Sequence, residues 1–97
     1  ITGGGIAGNL VRVLPEHVLA VVKPASWPRP ALFRFIQQAG TVDEAEMREV
    51  FNLGIGMIGV LPAGGVAAAQ AAARVAGVQT WVIGDVRAGA RDVRFAD

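Results

Sequence analysis

From Val50 to Ala73 the chain runs for 24 residues without a charged side chain, in a protein of only 97 residues. So long an apolar run must be covered, either by lipid or by protein. Its length alone would span a bilayer, which needs about 20 apolar residues. However, it holds Asn52, Gln70 and five glycines, and Leu61-Pro62-Ala63-Gly64-Gly65 cuts it in two. Each half is too short to cross a membrane. The expectation is therefore a buried strand over Met57–Leu61, then a helix over Val66–Val75 terminated by Gly77. The alanines of that helix would let it pack closely on a sheet.

Composition extends the argument. Apolar residues make up 53% of the chain and charged residues 18%, a low charge fraction for a small self-contained domain. The chain reads as one domain at most, and as a piece of something larger or one side of an interface. Its glycine-rich start without an initiator methionine is expected of a segment cut from a longer polypeptide. The nine lysines and arginines are scattered and the net charge is +1, so there is no basic stripe for a nucleic-acid partner. Without cysteine, disulfides and thiolate metal sites are excluded. No secretory signal pattern is present.

The remaining elements follow from local pattern. A glycine loop to Gly5 precedes a helix over Ile6–Leu14, with Leu10, Val13 and Leu14 on its apolar face and Pro15 at its end. Val18–Lys23 reads as a strand buried on both faces. After the turn Pro24–Pro30 comes a helix with Leu32, Phe33, Phe35 and Ile36 on its apolar side and Gly40 at its end. Thr41 or Asp43 caps a third helix whose first turn is acidic. Thr80–Val86 is a further strand, and Asp92–Phe95 alternates polar and apolar residues as an edge strand does. This order predicts an α+β fold, a layered α/β/α sandwich on a mixed sheet.

Most residues that could carry chemistry have a plainer reading. His17 is the only histidine and has no metal-ligating companion. Ser26 stands alone. Asp43, Glu44, Glu46 and Glu49 share one helix and read as a solvated face, and Trp27 and Trp81 read as core or interface anchors. No catalytic residue and no metal ligand can be assigned. The triplet Gly3-Gly4-Gly5 differs, because three residues without side chains expose backbone N–H groups and tolerate positive φ. A helix follows at once, adding its amino-terminal dipole. Asn9 and Arg12 lie one turn apart on one face, so an amide and a guanidinium flank the loop. This suits a phosphate-bearing ligand, and a tight turn beside an exposed arginine fits the residues equally well. Asn52, within Phe51-Asn52-Leu53-Gly54-Ile55-Gly56-Met57, is a second candidate. Its amide must be satisfied, and the two glycines imply close approach of a ligand or of another backbone. A structural corner is the favoured reading there.

The ordered landmarks resemble the phosphoribosylformylglycinamidine cyclo-ligase (aminoimidazole ribonucleotide synthetase) family. They are Ile1-Thr2-Gly3-Gly4-Gly5, Asn9-Leu10-Val11-Arg12-Val13-Leu14-Pro15, Ser26-Trp27-Pro28 with Pro30 and Phe33, Glu46-Met47, Phe51 to Met57, and Val82-Ile83-Gly84-Asp85-Val86 with Gly89. Val11 stands where the family usually has proline, Glu49-Val50 where it has Arg-Thr, and Leu53 where it has methionine. The resemblance covers nearly the whole chain and implies the latter part of a carboxy-terminal domain. It further implies an ATP-dependent ring closure in purine biosynthesis on a small-molecule nucleotide substrate, by a cytoplasmic homodimer. ATP and Mg2+ would be held mainly by an amino-terminal domain outside these residues. The implied contribution here is phosphate binding by Gly3, Gly4, Gly5, Asn9 and Arg12, with Asn52 as a further contact, and no activity for this piece alone. Relatives of the same superfamily (selenophosphate synthetase, thiamine monophosphate kinase, formylglycinamidine ribonucleotide synthase) and a non-enzymatic interaction module are the alternatives.

Overall fold

The computed structural model describes residues 1–97. Helix α1 spans Gly5–Leu10 and tightens into a 3₁₀ turn over Val11–Val13. Strand β1 spans Val18–Val22. Helices α2, α3 and α4 span Ala31–Gly40, Glu44–Val50 and Val66–Val75. Strands β2 and β3 span Gly84–Ala88 and Asp92–Phe95.

The fold is α+β, built on a mixed three-stranded sheet in the order β2-β1-β3. The run Val18-Leu19-Ala20-Val21-Val22 takes the centre because its apolar, mostly β-branched residues suit a strand covered on both sides. It pairs antiparallel with β2, Val22 opposite Gly84, and parallel with β3, Ala20 opposite Val93. Ala20, Val22 and Val93 then meet Ile6, Leu10 and Leu14 from the first helical segment, Met47 from α3, and Trp27, Leu53 and Ile55 from the turns. Ile6, Met47 and Leu53 are fully enclosed, and burial of each side chain contributes about 1.5–3 kcal/mol. The Trp27 indole N–H donates to the Leu53 carbonyl at 2.9 Å, so the polar edge of this core anchor is satisfied inside the core.

The core is unevenly distributed along the chain. No residue between Ile55 and Val93 is buried, although that interval contains most of the uncharged run. Met57–Leu61 is not a strand, contrary to the sequence expectation: no strand lies beside it, and Met57 is 89% exposed. A strand is defined by its neighbour, and here none is in place. Helix α4 forms where expected but leaves every residue exposed or half-exposed, so it does not close a layer over the sheet. Strand β2 begins at Gly84 rather than Thr80, because β1 stops at Val22 and the chain turns away at Pro24. On α2, Phe33 and Ile36 are half-buried as expected, whereas Leu32 and Phe35 face outward. Thr41, not Gly40, supplies the left-handed cap of α2, at φ 51°. No helix is long and apolar enough to cross a membrane.

Candidate functional site

The glycine loop is held from two sides. Gly4 and Gly5 both adopt positive φ, 98° and 67°, a region that side-chain-bearing residues enter only at a cost. Gly5 has a second reason to be glycine, since a Cβ there would overlap the backbone carbonyl of Arg48. This close approach packs the start of α1 against the end of α3. On the other side, the Ile1 amino nitrogen donates to the Gly56 carbonyl at 2.6 Å. The loop therefore lies along the stretch from Arg48 to Gly56, which places it beside the turn that carries Asn52.

The two asparagines hold these loops in shape. The Asn9 amide nitrogen lies 3.2, 3.2 and 2.7 Å from the carbonyls of Thr2, Gly3 and Gly5, and the Thr2 hydroxyl donates to Asn9 Oδ1 at 3.1 Å. Sequence reasoning expected Asn9 to offer its amide to a ligand. The structure instead turns that amide onto the loop carbonyls, because a chain of glycines leaves its carbonyls unpartnered and a side chain one turn on reaches them. Asn52 Oδ1 accepts the Gly54 N–H at 2.8 Å, and the Ile55 N–H donates to the Asn52 carbonyl at 3.1 Å. Between them Leu53 and Gly54 take φ of 56° and 102°, a tight reversal of the type-I′ kind. The close approach at Gly54 is made by the ring of Pro30, 2.6 Å from a virtual Cβ. Asn52 is thus a structural corner, and its Nδ2 has no acceptor within the chain.

What remains available to a ligand is backbone. Gly5 N–H donates to the Thr2 carbonyl at 3.3 Å, whereas the N–H groups of Gly3 and Gly4 have no acceptor in the chain. Both residues are exposed. Arg12 is exposed too and makes no ion pair, but it sits in the 3₁₀ turn rather than on a continuation of α1. Arg91, which the sequence did not single out, donates to the Val11 carbonyl at 3.1 and 2.9 Å, so a second guanidinium closes this turn beside Arg12.

A second charged cluster was missed in the sequence. Arg29 grips Glu44 in a two-pronged ion pair at 2.8 and 2.6 Å, and Gln37 and Arg48 also donate to that carboxylate at 3.3 and 3.1 Å. Hydrogen bonding from Arg29 outweighs partial burial and lowers the Glu44 pKa to about 2. A carboxylate so firmly ionised is a poor proton carrier near neutrality. It clasps the turn before α2 to the start of α3. Asp43, Glu46 and Glu49 are the solvated acids that the helix pattern led one to expect. No three His, Cys, Asp or Glu side chains come together in a way that could hold a metal ion, and His17 is exposed, its carbonyl accepting the Gly89 N–H.

This braced glycine loop, followed by a short helix and the Asn52 corner, lies in a chain matched over residues 1–97 by the profile of the family described as AIR synthase related protein, C-terminal domain. The chain belongs to that family. Among curated relatives of this C-terminal domain, phosphoribosylformylglycinamidine cyclo-ligase of Anaeromyxobacter dehalogenans (strain 2CP-1 / ATCC BAA-258) is 44% identical over 89 residues, 92% of this chain and 26% of its own length. The protein of the same name from Sorangium cellulosum (strain So ce56) is 48% identical over 86 residues, 89% of this chain and 25% of its own. The chain thus spans about a quarter of the curated relatives it matches.

Proposed function

We propose that this chain is the latter part of the carboxy-terminal domain of a phosphoribosylformylglycinamidine cyclo-ligase. In the whole protein it serves the ATP-dependent closure of the imidazole ring of formylglycinamidine ribonucleotide to aminoimidazole ribonucleotide. Its share is to hold phosphate oxygens of the nucleotide substrate or of ATP. One observation carries this: two adjacent exposed amides, at Gly3 and Gly4, have no acceptor in the chain, in a loop whose shape Asn9 and the Gly5–Arg48 contact fix. Pre-arranged backbone donors are what an oxyanion needs, because no group must reorganise on binding. Arg12 supplies the charge, and Asn52 Nδ2 is the further donor on the neighbouring turn. Asn9 serves indirectly, by holding the loop.

No three His, Cys, Asp or Glu side chains of this chain could hold a metal ion; in this reading Mg2+ and most of the ATP contacts fall to an amino-terminal domain of the whole protein. The whole protein acts as a cytoplasmic homodimer, and these 97 residues are inactive alone. Arg12→Ala in the full-length protein tests the assignment. Calorimetric affinity for the nucleotide substrate falls by about 1.5–3 kcal/mol, the worth of a charged hydrogen bond. Unchanged affinity for both substrate and ATP removes Arg12 from the site.

A further inference from the structure

The segment from Met57 to Leu61 is an anomaly. It is apolar, yet Met57, Val60 and Leu61 are all exposed. It contains no helix or turn, and none of its backbone N–H or C=O groups has a partner. Together with Thr80–Ile83 it walls a groove of about 630 Å³ that Ala20 and Val21 also line. Five consecutive residues with unpaired backbone groups leave a row of main-chain donors and acceptors, which an added strand can cover by main-chain pairing.

We propose that this edge takes the residues leading into Ile1 of the longer polypeptide, in antiparallel register. Two observations select that occupant. The relatives are about four times as long as this chain, which covers 26% of the first of them, and the family it matches is described as a C-terminal domain, so those relatives carry residues ahead of the matched stretch. Ile1 also already occupies the foot of the edge, its nitrogen donating to the Gly56 carbonyl. As a peptide N–H the same atom keeps that bond, which becomes the first rung of a ladder. Residues before Ile1 meet residues after Gly56 only if the strands run in opposite directions. With Ile1 opposite Gly56, the residue just before Ile1 faces Met57, and the one before that faces Ile58. The Met57 pair is of the narrow, non-hydrogen-bonded kind, with Cα atoms about 4.5 Å apart.

The proposal rests on the relatives' length but not on the catalytic reading, and its test uses the full-length protein. Hydrogen–deuterium exchange resolved to single amides is expected to show the Ile58 and Val60 amides, which face the incoming strand in this register, protected by about 100-fold or more, as for paired core strands. Protection independent of protein concentration supports the proposal, and exchange at unprotected rates overturns it. Protection that fades on dilution assigns the edge to a second copy and also overturns it. Independently, Met57→Cys paired with a cysteine immediately before Ile1 lies within disulfide reach, whereas Leu61→Cys with that same cysteine does not. A bridge formed by Leu61→Cys and not by Met57→Cys overturns the register. Neither readout involves catalysis, so an inactive enzyme leaves this result standing, and an unprotected edge leaves the proposed activity standing.

Discussion

Alanine substitution along the glycine triplet separates the structural demands on the loop, since each position has a different geometry. Gly3 lies outside the positive-φ region and has open space around a virtual Cβ. Gly3→Ala should leave stability within about 0.5 kcal/mol of the parent. Gly4 has φ 98° but no neighbour closer than 3.9 Å, so only the backbone conformation opposes a side chain, at about 1–2 kcal/mol. Gly5 combines φ 67° with a collision against the Arg48 carbonyl, and the Glu49 carbonyl lies 3.2 Å away. Both obstacles are backbone and cannot rotate aside. Relief requires α1 to lift from α3, where Ile6 and Leu10 belong to the same core as Met47. Adding about 1–3 kcal/mol for forced repacking gives about 2–5 kcal/mol for Gly5→Ala. Urea denaturation of the three variants in the full-length protein, with m unchanged, reads the order directly. A Gly5→Ala variant as stable as the parent, or a Gly3→Ala variant as damaged as Gly5→Ala, would refute the account of the loop.

Other expectations follow from the clasp and the core. The Glu44 pKa of about 2 against an ordinary 4.5 is a depressed carboxylate, so its stabilisation is present above pH 4.5 and is lost as pH falls toward 2. The Glu44 side chain is 39% exposed, so screening reduces the contribution to about 1 kcal/mol. Glu44→Gln should differ from the parent by that amount at pH 7, with the gap closing below pH 4.5 in thermal melts; a gap that is constant with pH refutes the role of the ion pair. Trp27→Phe removes the donor to the buried Leu53 carbonyl and should destabilise by about 1–3 kcal/mol, measured by chemical denaturation. A neutral Trp27→Phe would mean that the carbonyl finds another partner.

How much of this was legible in sequence depended on how local the cause was. Strand β1, the acidic start of α3, the alanine helix and the alternation of Asp92–Phe95 follow from residues within each element, and they form within a residue or two of the expected bounds. Met57–Leu61 has an equally strong strand pattern, yet pattern records only suitability for a partner, and here none lies beside it. The same reasoning explains why Thr80–Val82 stays outside β2. The Arg29–Glu44 clasp joins residues 15 apart across a proline turn, with no periodic relation to reveal it. The Asn9 amide meets the carbonyls of the glycine loop, which its spacing alone does not reveal, because spacing shows which groups lie close and not which atoms point inward.

The uneven core bears on the function as well. The contacts that shape the glycine loop come from Asn9, Arg48 and Gly56, all in or bordering the half of the chain that carries nearly every buried residue. The open edge at Met57–Leu61 adjoins that half, and the unburied stretch as far as Arg91 follows it. The geometry of the proposed phosphate loop is therefore set by the packed half, whereas the proposed strand pairing falls on the exposed one, and Gly56 is the point where they join. Perturbing the edge beyond Met57 should change sheet stability while leaving the amides at Gly3 and Gly4 in place. Disturbing the Ile1–Gly56 bond should affect both together, because it is at once the anchor of the loop and the first rung of the ladder.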